Sequence, residues 1–456
     1  MPRVHIIGIG GAIMHSLALH LKEQGYEVTG SDDRLAEPAR SRLAEAGLLP
    51  PQEGWFPEKI TPELGLVLVG MHARRDNPEL QRAQQLRLPI QDMPTFVARA
   101  TRHKHRIVVA GSHGKTTTTA LLLHAFERLG MPTDWLIGAQ TAHEARLLRL
   151  STAPTFIAEG DEYPASPLNL QPKAAVYQPH WLILTGIAWD HVNVYPTFED
   201  YQRAFQYILQ QLPKAGVCFY NETDPTVRRL VEAELKPGWH RLIPYRPLPS
   251  FRRQATWFVR VGRRVTPVRF WGRHNILNAS AVWSLLQEMY VEDREFAEIL
   301  STFRLPARRQ EVWLEGPPSW IVRDFAHAPS KVEATLKALR ETFPNLPLRV
   351  VLELHTYSSL QPTYAVAYKK PLRLAKECWI YLDERNAQVK GANRTALQQA
   401  LGKEVEWIYS KTALIETIHS ALSRGPQILA LLSSGTFSDL EPAELGLTPK
   451  PSERNG

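Results

Sequence analysis

Short apolar runs alternate with helix-period segments along most of the chain. Val4-His5-Ile6-Ile7-Gly8 ends in glycines, and residues 12–24 follow with Leu17 and Leu21 at helical spacing, so the start reads as strand, tight turn, helix. A second strand over 26–30 ends at Ser31-Asp32-Asp33, and a third over 64–70 ends at Met71-His72-Ala73. Strands alternating with helices predict an open parallel sheet, whose ligand-binding loops cluster at the carboxyl ends of the strands.

The polar stretch Thr101-Arg102-His103-Lys104-His105-Arg106 interrupts this pattern, and a new strand begins at Ile107. Buried strands over 156–158 and 181–184 continue the second unit, which includes a helix starting near His274-Asn275 and ends near Phe303. A third run has strands over 320–322, 349–354, 378–381 and 428–432 interleaved with helices such as 331–342. The pattern predicts three α/β domains, over residues 1–103, 104–303 and 304–456. The tail after Pro442, rich in Pro, Ser, Gly and charge, reads as frayed.

Composition narrows the function. With 44% hydrophobic and 22% charged residues the chain has ample apolar surface for folded cores. The net charge of +8 comes from scattered basic residues rather than an aromatic-interleaved stripe, which favours an anionic small molecule over nucleic acid. Cys218 and Cys378 stand far apart, outside any zinc or disulfide spacing, and point to a reducing cytoplasm. No apolar run is long enough for a membrane span, and the amino terminus lacks a secretory core.

The densest chemistry lies after the strand at 107–110, in Gly111-Ser112-His113-Gly114-Lys115-Thr116-Thr117-Thr118-Thr119 followed by an apolar helix over 120–129. Glycines let successive backbone N–H groups turn toward phosphate oxygens, and the helix start adds partial positive charge. Lys115 supplies a full charge for the β- and γ-phosphates, and Thr116 offers a hydroxyl to Mg²⁺. Only two residues separate the glycines, fewer than in the general phosphate loop. The segment G-[ST]-H-G-K-T-T-T resembles the nucleotide loop of the Mur ligases, which join UDP-N-acetylmuramate to L-alanine or to a preformed peptide. The resemblance covers nearly the whole chain. It implies a Rossmann-like UDP-sugar domain, a central P-loop ATPase domain and a C-terminal Rossmann-like domain that brings the amine.

Further segments carry the same resemblance. Glu159-Gly160-Asp161-Glu162 is similar to the family's E-A-D-E and implies Glu159 as a Mg²⁺ ligand. Thr185-Gly186-Ile187-Ala188-Trp189-Asp190-His191-Val192-Asn193 resembles T-N-[IL]-x-x-D-H-x-D, implying His191 as a ligand of the second metal, supported by Asp190. It departs at Gly186 and Asn193, which replace Asn and Asp. No lysine occupies 201–206, where several members carry a carbamylated one; this resembles the branch acting directly on UDP-N-acetylmuramate. Gly272-Arg273-His274-Asn275-Ile276-Leu277-Asn278-Ala279 looks like G-x-H-N-x-x-N-A, placing His274, Asn275 and Asn278 on the nucleotide, with an N-cap role for Asn275 as the competing reading. Pro306-Ala307-Arg308-Arg309-Gln310-Glu311 is similar to G-R-x-E and assigns the γ-phosphate arginine to Arg309, with Arg308 as alternative. Asp324-Phe325-Ala326-His327-Ala328-Pro329 resembles D-[YF]-A-H-x-P, a loop that closes on ATP.

At the amino terminus, Gly8-Ile9-Gly10-Gly11-Ala12-Ile13-Met14 has Ile13 where a dinucleotide fingerprint needs its third glycine, so NAD is poorly supported. It resembles the family's G-I-G-G-x-x-M, which implies a UDP-sugar site that includes Gly8, with Gly10 and Gly11 facing the diphosphate and Ser31 and Asp32 the uridine sugar; a plain strand-turn-helix is the competing reading. Glu353-Leu354-His355-Thr356-Tyr357-Ser358-Ser359 aligns with the P-H-R-Y-T-R of the L-alanine-adding enzymes: His355 and Tyr357 match, but both arginines are missing, replaced by Thr356 and Ser359. The leading glutamate and the small hydroxyls, Ser358 among them, look closer to the recycling ligases that attach L-alanyl-γ-D-glutamyl-meso-diaminopimelate. The expectation is an ATP- and Mg²⁺-dependent ligase, monomeric or weakly dimeric, with the tripeptide as amine and L-alanine as the alternative. The folate and cyanophycin branches share the ATPase core but not the glycine-rich first domain. An inactive scaffold would have lost Lys115, Thr116 or Glu159, and all three are present.

Overall fold

The computed structural model describes residues 2–71, 73–141, 146–192, 194–316 and 318–447. His72 and Asn193 lie outside the described residues, as does most of the tail read as frayed. The described part of that tail is ordered instead: Pro442–Leu445 form a 3-10 turn that buries Leu445, because Glu441 and Glu444 close a capping box around it.

The chain folds as two compact units, one of residues 1–187, 202–246 and 281–288, the other of 188–201, 247–280 and 289–456. In the first unit a parallel sheet runs Glu27–Ser31, Arg3–Ile7, Leu66–Val69, Ile90–Asp92. A seven-stranded sheet runs Arg241–Tyr245, Val217–Asn221, Trp181–Leu184, His105–Ala110, Thr155–Glu159, Thr133–Leu136, Leu148–Arg149, parallel except for its last member. Ile107, Val108, Val109 and Ala110 are all buried, as expected of a central parallel strand covered on both faces. Each large side chain so buried contributes about 1.5–3 kcal/mol.

The second unit contains a six-stranded sheet in the order Glu311–Leu314, Trp320–Asp324, Ile428–Leu432, Leu348–Glu353, Glu377–Tyr381, Glu406–Ile408, of which only the first strand is antiparallel. One face packs the cluster around Val322, Leu336, Leu352 and Tyr368, the other that around Ile321, Leu431, Ile418 and Phe437. The same unit holds a three-stranded antiparallel sheet, Ser250–Arg253, Thr256–Val261 and Arg264–Val268. The three parallel-dominated sheets with their helices are the three-domain α/β architecture expected from the strand–helix alternation.

Candidate active site

The phosphate loop follows the strand His105–Ala110, and its shape is set by two glycines. Gly111 has φ 130°, and a Cβ there would lie 2.2 Å from Thr185 Oγ1 and 2.9 Å from Gly186 N. Gly114, with φ 74°, is the N-cap of the helix Lys115–Arg128, which begins five residues before the sequence pattern shows it because Lys115 and the four threonines are helical. Ser112 N donates to Gly186 O at 2.8 Å, and Thr185 Oγ1 donates to His113 O, so the segment after Leu184 braces the loop.

Lys115 Nζ donates to Gly111 O at 2.6 Å and to Glu162 Oε2 at 2.6 Å, with Asp161 Oδ1 at 3.4 Å. Burial works against its charge, but the Glu162 and Asp161 carboxylates outweigh burial and hold the ammonium well above the ordinary lysine range. Thr116 Oγ1 donates to Glu159 Oε1 at 2.8 Å, and the other carboxylate oxygen accepts from Gly138 N at 2.8 Å. A hydroxyl and a carboxylate oxygen thus converge beside the loop, a donor set of hard oxygens suited to Mg²⁺. Glu162 as the lysine's partner and Thr185 as a brace were not singled out by sequence reasoning; the Glu159-Gly160-Asp161-Glu162 motif was the available signal for the first.

In the amino-terminal sheet Gly8, at φ 84°, and Ile9 donate their N–H groups to Ser31 O at 2.8 and 3.1 Å. Gly10 N donates to Asp32 Oδ2 at 2.8 Å, Arg34 N to Asp32 Oδ1 at 3.2 Å, and Lys59 Nζ lies 3.4 Å from Ser31 Oγ. Gly8, Gly10, Gly11, Ser31 and Asp32 are therefore brought together at the carboxyl ends of adjacent strands. Burial raises the Asp32 carboxyl to about 6, against the lowering effect of the Arg34 and Gly10 N–H groups.

The second unit gathers the remaining nucleotide candidates. Asn275 Nδ2 donates to Trp271 O at 3.1 Å and Asn278 Nδ2 to Asn275 Oδ1 at 3.3 Å. Asn275 lies inside the helix Arg273–Glu288 and donates backwards, so the competing N-cap reading does not describe it. Burial pushes the neighbouring His274 imidazole down to about 4. The Arg309 guanidinium lies 4.4 Å above the Phe325 ring, and Asp324 Oδ2 accepts from Gln310 N at 2.8 Å. His327 Nδ1 lies 3.0 Å from Phe325 O, which fits an Nδ1–H donor.

Asp190 forms a charge hub in this unit. Its carboxylate is 3.0 Å from Lys331 Nζ, 3.8 Å from His191 Nδ1 and 3.9 Å from His327 Nε2, with side-chain exposure of only 3%. Burial favours its neutral form, yet Lys331 first, then His191 and His327, hold it well below the usual carboxylate range. Lys331, 141 residues away in sequence, was not anticipated. His191 itself has φ 73°. At the carboxyl end of Leu348–Glu353, His355 and Tyr357 stand beside Lys390, while Ser358 Oγ accepts from Val192 N at 3.3 Å. Thr356 and Ser359, which occupy the places of the missing arginines, hydrogen-bond each other at 3.1 Å. No helix among the described residues is long and apolar enough to cross a membrane.

Residues 3–105 match the Mur ligase family, catalytic domain, and residues 109–286 the Mur ligase middle domain. A UDP-N-acetylmuramate--L-alanine ligase of Halorhodospira halophila is 33% identical over 78% of this chain and 74% of the relative. The crystal structure of a murein peptide ligase from Psychrobacter arcticus superposes with TM-score 0.72 at 21% identity over 98% of both chains. That of the UDP-N-acetylmuramate:L-alanyl-gamma-D-glutamyl-meso-diaminopimelate ligase of Neisseria meningitides does so with TM-score 0.61 at 25% identity, over 68% of this chain and 100% of the other. With the phosphate loop, the Thr116–Glu159 pair and these likenesses together, the chain belongs to the Mur ligase family of ATP-dependent, amide-forming ligases.

Proposed function

We propose that this enzyme joins the carboxylate of UDP-N-acetylmuramate to the amine of L-alanyl-γ-D-glutamyl-meso-diaminopimelate in the cytoplasm. The muramate carboxylate oxygen attacks the γ-phosphorus of ATP, ADP leaves, and an acyl phosphate forms. The amine then adds to the acyl carbon, loses a proton, and expels inorganic phosphate. No protein nucleophile is required; Lys115 and Arg309 place positive charge where the transferred phosphoryl group develops negative charge. Gly111, Ser112, His113, Gly114 and Thr117 cradle the phosphates, with His274, Asn275, Asn278, Asp324 and His327 on the nucleotide. Gly8, Gly10, Gly11, Ser31 and Asp32 take the sugar diphosphate. Thr116 and Glu159 would hold Mg²⁺ and His191 would ligate a second metal; when bound, the metal supplies charge neutralisation on the phosphates. Domain boundaries near 103/104 and 303/304 divide these roles.

The observation that carries the choice of amine is the loop 353–359. In this loop the side chains at the two arginine positions are hydroxyls already bonded to each other, leaving no guanidinium for the carboxylate of a free amino acid. L-alanine is the second reading, favoured by the likeness to L-alanine ligases. Phosphate release from ATP with UDP-N-acetylmuramate decides between them: stimulation by the tripeptide and not by L-alanine is expected, and stimulation by L-alanine alone would overturn the choice.

A further inference from the structure

Three loops converge at the carboxyl end of the six-stranded sheet. The chain leaves Leu348–Glu353 toward the face that buries Leu354, Leu360 and Tyr364, but leaves Ile428–Leu432 toward the opposite face, where Phe437 and Leu440 are buried. These two strands are neighbours, so their exits part and leave a crevice, the place where open α/β sheets bind ligands.

The polar groups around this crevice are not all satisfied. Glu353, buried beneath it, accepts from Ser433 Oγ and from Phe437 N at 3.0 Å. Ser434 Oγ, buried, has no hydrogen-bond partner among the described residues, and His355 Nδ1, also without a hydrogen bond, lies 3.5 Å from Glu353 Oε1. Gly435 packs closely against this pair, since a Cβ there would lie 2.6 Å from His355 Nδ1 and 2.9 Å from Glu353 Oε2. Lys390, following the helix Glu384–Val389, reaches in: its Nζ donates to His355 O at 2.5 Å and lies 5.3 Å from the Tyr357 ring centre. Burial works against the ammonium, with Glu353 the carboxylate that opposes that effect. A half-desolvated cation with one neutral acceptor retains two N–H donors.

We propose that Lys390 is the specificity-determining cation of this site, receiving a carboxylate of the incoming amine substrate in place of the two absent arginines, from its position between His355 O and the Tyr357 ring. The assignment rests on the ligase reading given above. A charge-assisted hydrogen bond of this kind corresponds to about 10- to 100-fold in affinity. In steady-state assays Lys390→Ala should raise the KM for the tripeptide by that factor while the KM for ATP and for UDP-N-acetylmuramate stays unchanged, and Lys390→Arg should retain most of the affinity.

The deciding comparison uses a tripeptide amidated at its carboxyl groups: wild type should prefer the acid, and Lys390→Ala should lose that preference. Equal losses on acid and amide would show that Lys390 only holds the loop, and no loss on either would remove it from the site; both outcomes overturn the assignment. If wild type ligates L-alanine instead, the tripeptide reading fails, and the same comparison with L-alanine and L-alaninamide decides the Lys390 assignment separately.

Discussion

Replacing Lys331 by Met removes the strongest partner of a carboxylate that has almost no contact with water. At 3.0 Å and an effective dielectric of about 20, the Lys331–Asp190 attraction is about 5.5 kcal/mol. Breaking a buried pair by removing one partner costs about 3–5 kcal/mol; with Asp190 3% exposed and Lys331 21%, the lower edge of that range applies, about 3 kcal/mol. Urea unfolding of the full chain at neutral pH, followed by circular dichroism, should show Lys331→Met destabilised by that amount. Adding Asp190→Asn removes the orphaned charge, so the double variant should recover at least half of the loss. A Lys331→Met variant within about 0.5 kcal/mol of wild type, or a double variant as unstable as the single one, would refute the view that Asp190 is ionised and held by this lysine.

Three other expectations follow from the same physical reasoning. Lys115→Ala should abolish phosphate release, while calorimetry still detects UDP-N-acetylmuramate binding; retained turnover would remove the loop from the mechanism. Gly111→Ala places a Cβ 2.2 Å from Thr185 Oγ1 at φ 130°, so ATP binding should be lost together with about 1–3 kcal/mol of stability, read by nucleotide titration and thermal unfolding. Burial first, then Lys331, lowers the His327 imidazole to about 3, so its neutral form is the folded one. The stability this contributes is complete above the unfolded value of about 6.5 and declines by up to about 1.4 kcal/mol per pH unit as pH falls toward 3; His327→Gln should flatten that part of the pH–stability curve.

Local chemistry was legible in the sequence and long-range pairing was not. The glycines and Lys-Thr of the phosphate loop lie within six residues and state their own geometry, and the buried strands announce themselves as unbroken apolar runs. The antiparallel sheet over 250–268 stayed hidden because Phe251-Arg252-Arg253 and Arg263-Arg264 interrupt its alternation with charge. Lys331 beside Asp190 and Lys390 beside His355 depend on tertiary placement, which spacing along the chain does not encode. Pro442–Leu445 read as tail on composition, yet two glutamates three residues apart cap a turn there.

The margins of the larger sheets bear on how copies of this chain can meet. The seven-stranded sheet stops at a two-residue reversed strand on one side, and on the other at Arg241–Tyr245, where Pro244 offers no N–H. The six-stranded sheet stops at Glu311–Leu314, also reversed and interrupted by a register shift. Short, irregular or donor-poor borders of this sort discourage a neighbour from extending the ladder, so crowding in a cell is poorly able to turn these folded chains into templates for fibrous growth.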